Sequence, residues 1–195
     1  MESIPSPLPF GVDFRKGIDD VFPGFHFSQD ADLRVSSQVL FQSDSVPTEF
    51  SLTFIVQPET DAAAMLFAIL NPEQTVISFG VGLSAVENGK TNISLYFNNY
   101  KHALADATQP TATFTVPAFT NDFKQFAISL KDEELTLYFD CDLKERLTSV
   151  FTHDSGDLPL VEASSLYIAK AGDLGYNFQV KHHVYPSKYS YKIYF

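Results

Sequence analysis

Phe50-Ser-Leu-Thr-Phe-Ile-Val56, followed by Met65-Leu-Phe-Ala-Ile-Leu70, is the stretch that decides the fold. The first run alternates, so Phe50, Leu52, Phe54 and Val56 fall on one face of a strand and pack against a core. The second run is apolar throughout and bounded by Asn71-Pro72, which predicts a strand buried on both faces. Between them, residues 60–64 form the only Ala-rich stretch, which is too short to stand alone as a helix. The same grammar resumes at once in Thr75-Val-Ile-Ser-Phe-Gly-Val-Gly-Leu83.

Further along, Asn88-Gly89 is the pair best suited to the two positive φ angles of a type I′ hairpin turn. After it, Asn92-Ile-Ser-Leu-Tyr-Phe97 places Ile93, Leu95 and Phe97 on one face. A polar loop over residues 98–110 precedes Thr111-Ala-Thr-Phe-Thr-Val116. Then come Phe123-Lys-Gln-Phe-Ala-Ile-Ser-Leu130, a turn over residues 131–134, and Leu135-Thr-Leu-Tyr-Phe-Asp-Cys-Asp142. Leu166-Tyr-Ile-Ala-Lys170 reads as a last regular strand. About ten short strands joined by hairpin-like turns, with no long helical period, predict an all-β sandwich of two antiparallel sheets. Residues 1–21, rich in Pro and Gly, read as an irregular lead-in.

The chain has 195 residues, enough for one such domain, and no repeat or linker divides it. Hydrophobic residues make up 45%, and 19 Phe with 9 Tyr supply a core without helices. A net charge of −11 and a pI near 4.7 argue against a nucleic-acid binder, which neutralises phosphates with clustered Lys and Arg. Here the 13 basic residues are scattered. No apolar run reaches the ~18 residues of a membrane span. The N-terminal Met-Glu-Ser-Ile-Pro-Ser-Pro-Leu-Pro-Phe has neither the basic nor the apolar segment of a signal peptide.

The ordered series Glu49-Phe50-Ser-Leu-Thr-Phe54, Met65-Leu-Phe-Ala-Ile-Leu70, Leu135-Thr-Leu-Tyr-Phe-Asp-Cys141 and Leu166-Tyr-Ile-Ala-Lys-Ala-Gly172 resembles the thrombospondin N-terminal-like domain. That domain is a laminin-G-like, concanavalin-like jelly-roll sandwich. Val81-Gly-Leu-Ser-Ala-Val-Glu-Asn-Gly-Lys90 with Asn92-Ile-Ser-Leu95 is most similar to the version in the type XV and XVIII collagens, the multiplexins. The resemblance runs over residues 22–179 and sets residues 180–195 apart as an atypical Tyr-rich tail. It implies a non-enzymatic, secreted module of the extracellular matrix that binds matrix proteins or glycosaminoglycans, heparin being disfavoured by the charge of −11. It also implies that Cys141 is half of a disulfide whose partner lies past Gln179 in the family and is missing here. With no signal peptide at the start, a fragment or incomplete isoform is expected.

Other readings of the residues stand beside this one. The alternation 135–137–139–141 would also make Cys141 a buried free thiol, behaving as a small hydrophobe. A catalytic thiolate is rejected, because it needs a partner base and surroundings that favour the anion, and the flanking Asp140 and Asp142 work against it. Asp140 and Asp142, about 6.5–7 Å apart on one strand face, raise the alternative of a sugar-binding or sugar-cleaving jelly roll. The next position on that face is Lys144, so no catalytic residue is assigned and no enzyme is expected. No cofactor is assigned; Asp30, Asp32, Asp140, Asp142, Asp154, Asp157 and Asp173 are the candidates for holding Ca²⁺, but none forms a recognisable loop. His26, His102, His153, His182 and His183 lack metal-ligand spacing. Asn92-Ile93-Ser94 is an N-glycosylation sequon, with Asn92 opposite the apolar face of its strand.

Overall fold

The computed structural model describes residues 8–16, 23–28, 30–39, 41, 45–98, 109–148, 157–172, 174 and 180–181. In chain order the first strands are β1 (Val12–Lys16), β2 (Pro23–Phe27), β3 (Leu33–Ser36), β4 (Ser45–Val46) and β5 (Phe50–Pro58), with a 3₁₀ turn at Ser37–Val39. The middle of the chain gives β6 (Ala64–Leu70), β7 (Ile77–Leu83), β8 (Lys90–Phe97), β9 (Ala112–Pro117) and β10 (Lys124–Lys131). The rest are β11 (Glu134–Phe139), β12 (Asp142–Thr148), β13 (Leu158–Pro159), β14 (Ser165–Ile168) and β15 (Val180–Lys181). Seven strands pair in the order β1-β2-β15-β5-β10-β11-β12 and six in the order β3-β14-β6-β7-β8-β9, while β4 and β13 form a small ribbon. All pairings are antiparallel. The expected all-β sandwich is borne out.

Alternation sets the register of the seven-stranded sheet. Phe54, Phe126 and Phe139 form one cross-strand row, Leu52, Ile128 and Leu137 the next, and Phe50, Leu130 and Leu135 a third. Opposite them, Ile69, Phe79 and Phe97 line up across β6, β7 and β8. Phe79 is fully buried and meets Phe41, Phe50, Phe67 and Phe97 edge-on, with ring centroids 5.2–6.0 Å apart. Such pairs add about 0.5–1.5 kcal/mol beyond the area they bury.

β6 and β7 are buried at every position, as the continuous apolar run predicts. Their outer face closes because Met65 lies across two glycines. A Cβ on Gly80 would sit 2.8 Å from the Phe67 carbonyl oxygen and 3.1 Å from Met65 Cε; one on Gly82 would sit 2.8 Å from Met65 Sδ. Only a residue without a side chain leaves that room.

Two expectations about the ends need correction. The stretch expected to be an irregular lead-in contains β1, paired with β2 from Val12↔Phe27 to Lys16↔Pro23. The stretch set apart as a tail contributes β15, which joins β2 to β5. The sheet therefore runs past both expected boundaries, 22 and 179. Residues 182–195 of the tail lie outside the described residues.

Candidate functional site

The strand expected over residues 135–142 ends at Phe139. Asp140 and Cys141 have φ of 51° and 67°, and Phe139 pairs with Asp142, so the two residues form the turn of the β11–β12 hairpin. Positive φ at both central positions is the type I′ requirement. Leu135, Leu137 and Phe139 are buried as expected, but Cys141 is exposed, which overturns the buried-thiol reading. The turn also separates the two carboxylates that were expected to share a strand face. Asp140 is anchored by its own N–H, which donates to the Gln125 carbonyl at 2.8 Å, and by Lys124 Nζ at 3.0 Å from Oδ2. Lys124 also reaches Asp122 at 3.1 Å. Hydrogen bonding to Asp140 first, and to Asp122 second, raises the Lys124 pKa above the ordinary lysine value.

Asn92 stands in a different setting. The Asn88-Gly89 turn forms as predicted, with φ of 52° and 72°, and β8 leaves it between β7 and β9. Ile93 is fully buried on the core side, while Asn92 is half-buried on the other. Its backbone N–H donates to Ser84 Oγ at 2.9 Å, and its Oδ1 accepts from Thr115 Oγ1 at 2.8 Å. Ser84, Ala85, Glu87, Asn88, Lys90, Asn92 and Thr115 line a shallow cleft of about 300 Å³ beside the turn.

A third group was not anticipated. His26 is buried on β2, with Nδ1 2.7 Å from Asp13 Oδ1 on β1 and Nε2 3.5 Å from Glu59 Oε2 just past β5. Arg15 spans the same two acids, at 3.4 Å from Asp13 and 3.8 Å from Glu59. The register Asp13↔His26 creates the first contact, and β15 carries β2 to the edge of β5 for the second. Alternating acid and base on Asp13 and Arg15 was the legible signal; the acceptor at Glu59, 33 residues from His26, was not.

Among the described residues the calcium candidates do not converge. Asp32 faces Lys170 Nζ at 3.2 Å, and Asp157 accepts from the Thr48 N–H at 3.2 Å. Among the described residues no three His, Cys, Asp or Glu side chains gather in a metal-holding arrangement. Asp154, Asp173, His102, His153, His182 and His183 lie outside the described residues. No helix among the described residues is long and apolar enough to cross a membrane.

The packed six- and seven-stranded sheets define a laminin-G-like jelly-roll sandwich. A Ruminococcus gnavus sialidase module, a CBM40 bound to α2,3-sialyllactose, matches 82% of this chain and 86% of its own at a TM-score of 0.55 and 11% identity. Domains LG4-5 of the mouse laminin α1 chain match 93% of this chain and 44% of theirs at 0.50 and 15%. At those identities the likeness is one of fold. No family model matches the chain. Sequence likeness reaches the human collagen alpha-1(XVIII) chain, 34% identical over 124 residues. That span is 64% of this chain and 7% of the collagen's length. The resemblance to the multiplexin collagens, drawn from the ordered strand motifs, is borne out.

Proposed function

We propose that this chain is a non-enzymatic module of the extracellular matrix, secreted, that presents its rims and outer faces to protein or glycan partners. The observation that carries this reading is the 34% identity to type XVIII collagen over 64% of the chain. A sandwich held by rows of buried aromatic side chains is a stiff platform, and stiffness lowers the ordering cost of binding. Among the described cations, Arg15, Lys124 and Lys170 each face a carboxylate, which favours a protein surface over a sulfated polyanion. We read exposed Cys141 as the disulfide half that the resemblance implies, its partner being absent from a sequence with one cysteine.

The test is to immobilise the secreted chain and measure binding to matrix proteins and to a glycan array in parallel. Saturable binding to a matrix protein is the expected result. Saturable sugar binding with no protein partner would move the chain to a carbohydrate-binding role, like that of the sialidase module bound to α2,3-sialyllactose. Release of sugar from an oligosaccharide would overturn the non-enzymatic reading outright.

A further inference from the structure

We infer that Asn92 is an N-glycan acceptor, and that the sugar stands on the outer face of β8 over β9, the edge strand of its sheet among the described residues. The inference rests on the secretory location proposed above, since transfer requires entry into that pathway. The tripeptide Asn92-Ile93-Ser94 supplies the acceptor amide and the hydroxyl two residues on. The fold then decides whether a glycan fits. Ile93 points into the core and is fully buried, so Asn92 points away from it, half-buried at the cleft beside the Asn88-Gly89 turn. Thr115 holds Oδ1 at 2.8 Å, which fixes the amide plane. Among the described residues Nδ2 makes no hydrogen bond, so a substituent there displaces none. The cleft that Asn92 lines runs along the Asn88-Gly89 turn, at whose tip a Cβ built on Gly89 would meet nothing within 4 Å.

The reaction balances with one co-reactant, a lipid-diphosphate-linked oligosaccharide. The bond from the sugar C1 to the diphosphate oxygen breaks, the C1–Nδ2 bond forms, Nδ2 gives up one proton, and the lipid diphosphate leaves. Transfer precedes folding of this strand. In the folded chain Ser94 is buried, with its hydroxyl 3.4 Å from Thr113 Oγ1, and β8 is paired on both sides. Once attached, the glycan rises beside Thr115 of β9, the last strand of its sheet. A bulky solvated group there hinders strand-to-strand association along that edge.

The full chain should be expressed in mammalian cells behind a heterologous secretion signal, so that entry into the pathway is imposed. Medium and detergent lysate are both read by mass before and after peptide N-glycosidase. The expected result is one enzyme-sensitive mass step, lost completely in Asn92→Gln and in Ser94→Ala and kept in Ser94→Thr. Reading the lysate captures variants that fail to fold or leave the cell, because the sugar is added before either. A wild-type chain at polypeptide mass in both fractions, or a step that persists in Asn92→Gln, would overturn the inference. A glycosylated chain with no matrix partner would sink the functional reading and leave this one standing.

Discussion

In the middle of the six-stranded sheet, β6, β7 and β8 bury nearly every side chain, and their contacts are aromatic rings, Met65 and glycine backbone. At the far end of the seven-stranded sheet, β1 and β2 rest on a separate small cluster of Val12, Phe27, Ala31 and Ala169, with Phe25, Leu33 and Ile168 around it. There, beside one Phe14–Phe25 ring contact, the side-chain contacts are polar: His26 with Asp13 and Glu59, and Arg15 in ion pairs with the same two acids. Burial of rings is not screened by salt, whereas partly exposed ion pairs are. One molecule thus holds two regions of different strength, and the weaker one answers to the solution around it. Local opening starts where buried apolar contacts are fewest.

The contrast can be broken from the strong side first. Phe79→Ala removes the ring that four other phenylalanines meet, and should cost about 3–5 kcal/mol in chemical denaturation. A loss below about 1 kcal/mol would mean that this centre does not hold the fold. Gly80→Ala should cost about 1–3 kcal/mol, since its Cβ must push back the Phe67 carbonyl or Met65; a neutral result would show that the Met65 layer is loose. From the weak side, His26→Ala should cost about 1–2 kcal/mol by leaving Asp13 and Glu59 without their buried partner. Amide exchange should then quicken in β1 and β2 while β6 to β8 keep their protection. Equal quickening in both regions would erase the distinction. Cys141→Gly lies outside both regions and is a control with the opposite sign. It relieves a left-handed position worth about 1–2 kcal/mol and adds about 0.5–1 kcal/mol of unfolded-state freedom, so it should stabilise the reduced chain by up to ~1.5 kcal/mol.

Strand identity in the centre was legible because burial and periodicity coincide there: seven consecutive apolar residues in β6 leave no second interpretation. Ends were harder. Val12 and Phe14 alternate as a strand should, but neighbouring Pro and Gly concealed the pattern in β1. At Cys141 the alternation of Leu135, Leu137 and Phe139 runs on in phase through a turn, and a small apolar residue at the next odd position looks like a continuation. The same two-residue geometry was readable at Asn88-Gly89 because that pair tolerates positive φ, whereas Asp140-Cys141 carries no such signature. The sequon could be found from three letters, but its cleft depends on Ser84, just past β7, and Thr115 of β9. Of the His26 group only the alternation of Asp13 and Arg15 left a local trace, since the partners of His26 itself are 13 and 33 residues away.

β15 has a consequence for the order in which the chain assembles. Val180 pairs with Phe27 on one side and Pro58 on the other, and in the sheet order these two residues of chain are what lies between the β1–β2 hairpin and β5. As the polypeptide grows from its N-terminus, β2 and β5 each wait with an open edge through the synthesis of more than a hundred residues. Contacts so distant in sequence form late and slowly. During that interval the exposed edges are open to other chains, so a holding chaperone has most to protect before residue 180 arrives.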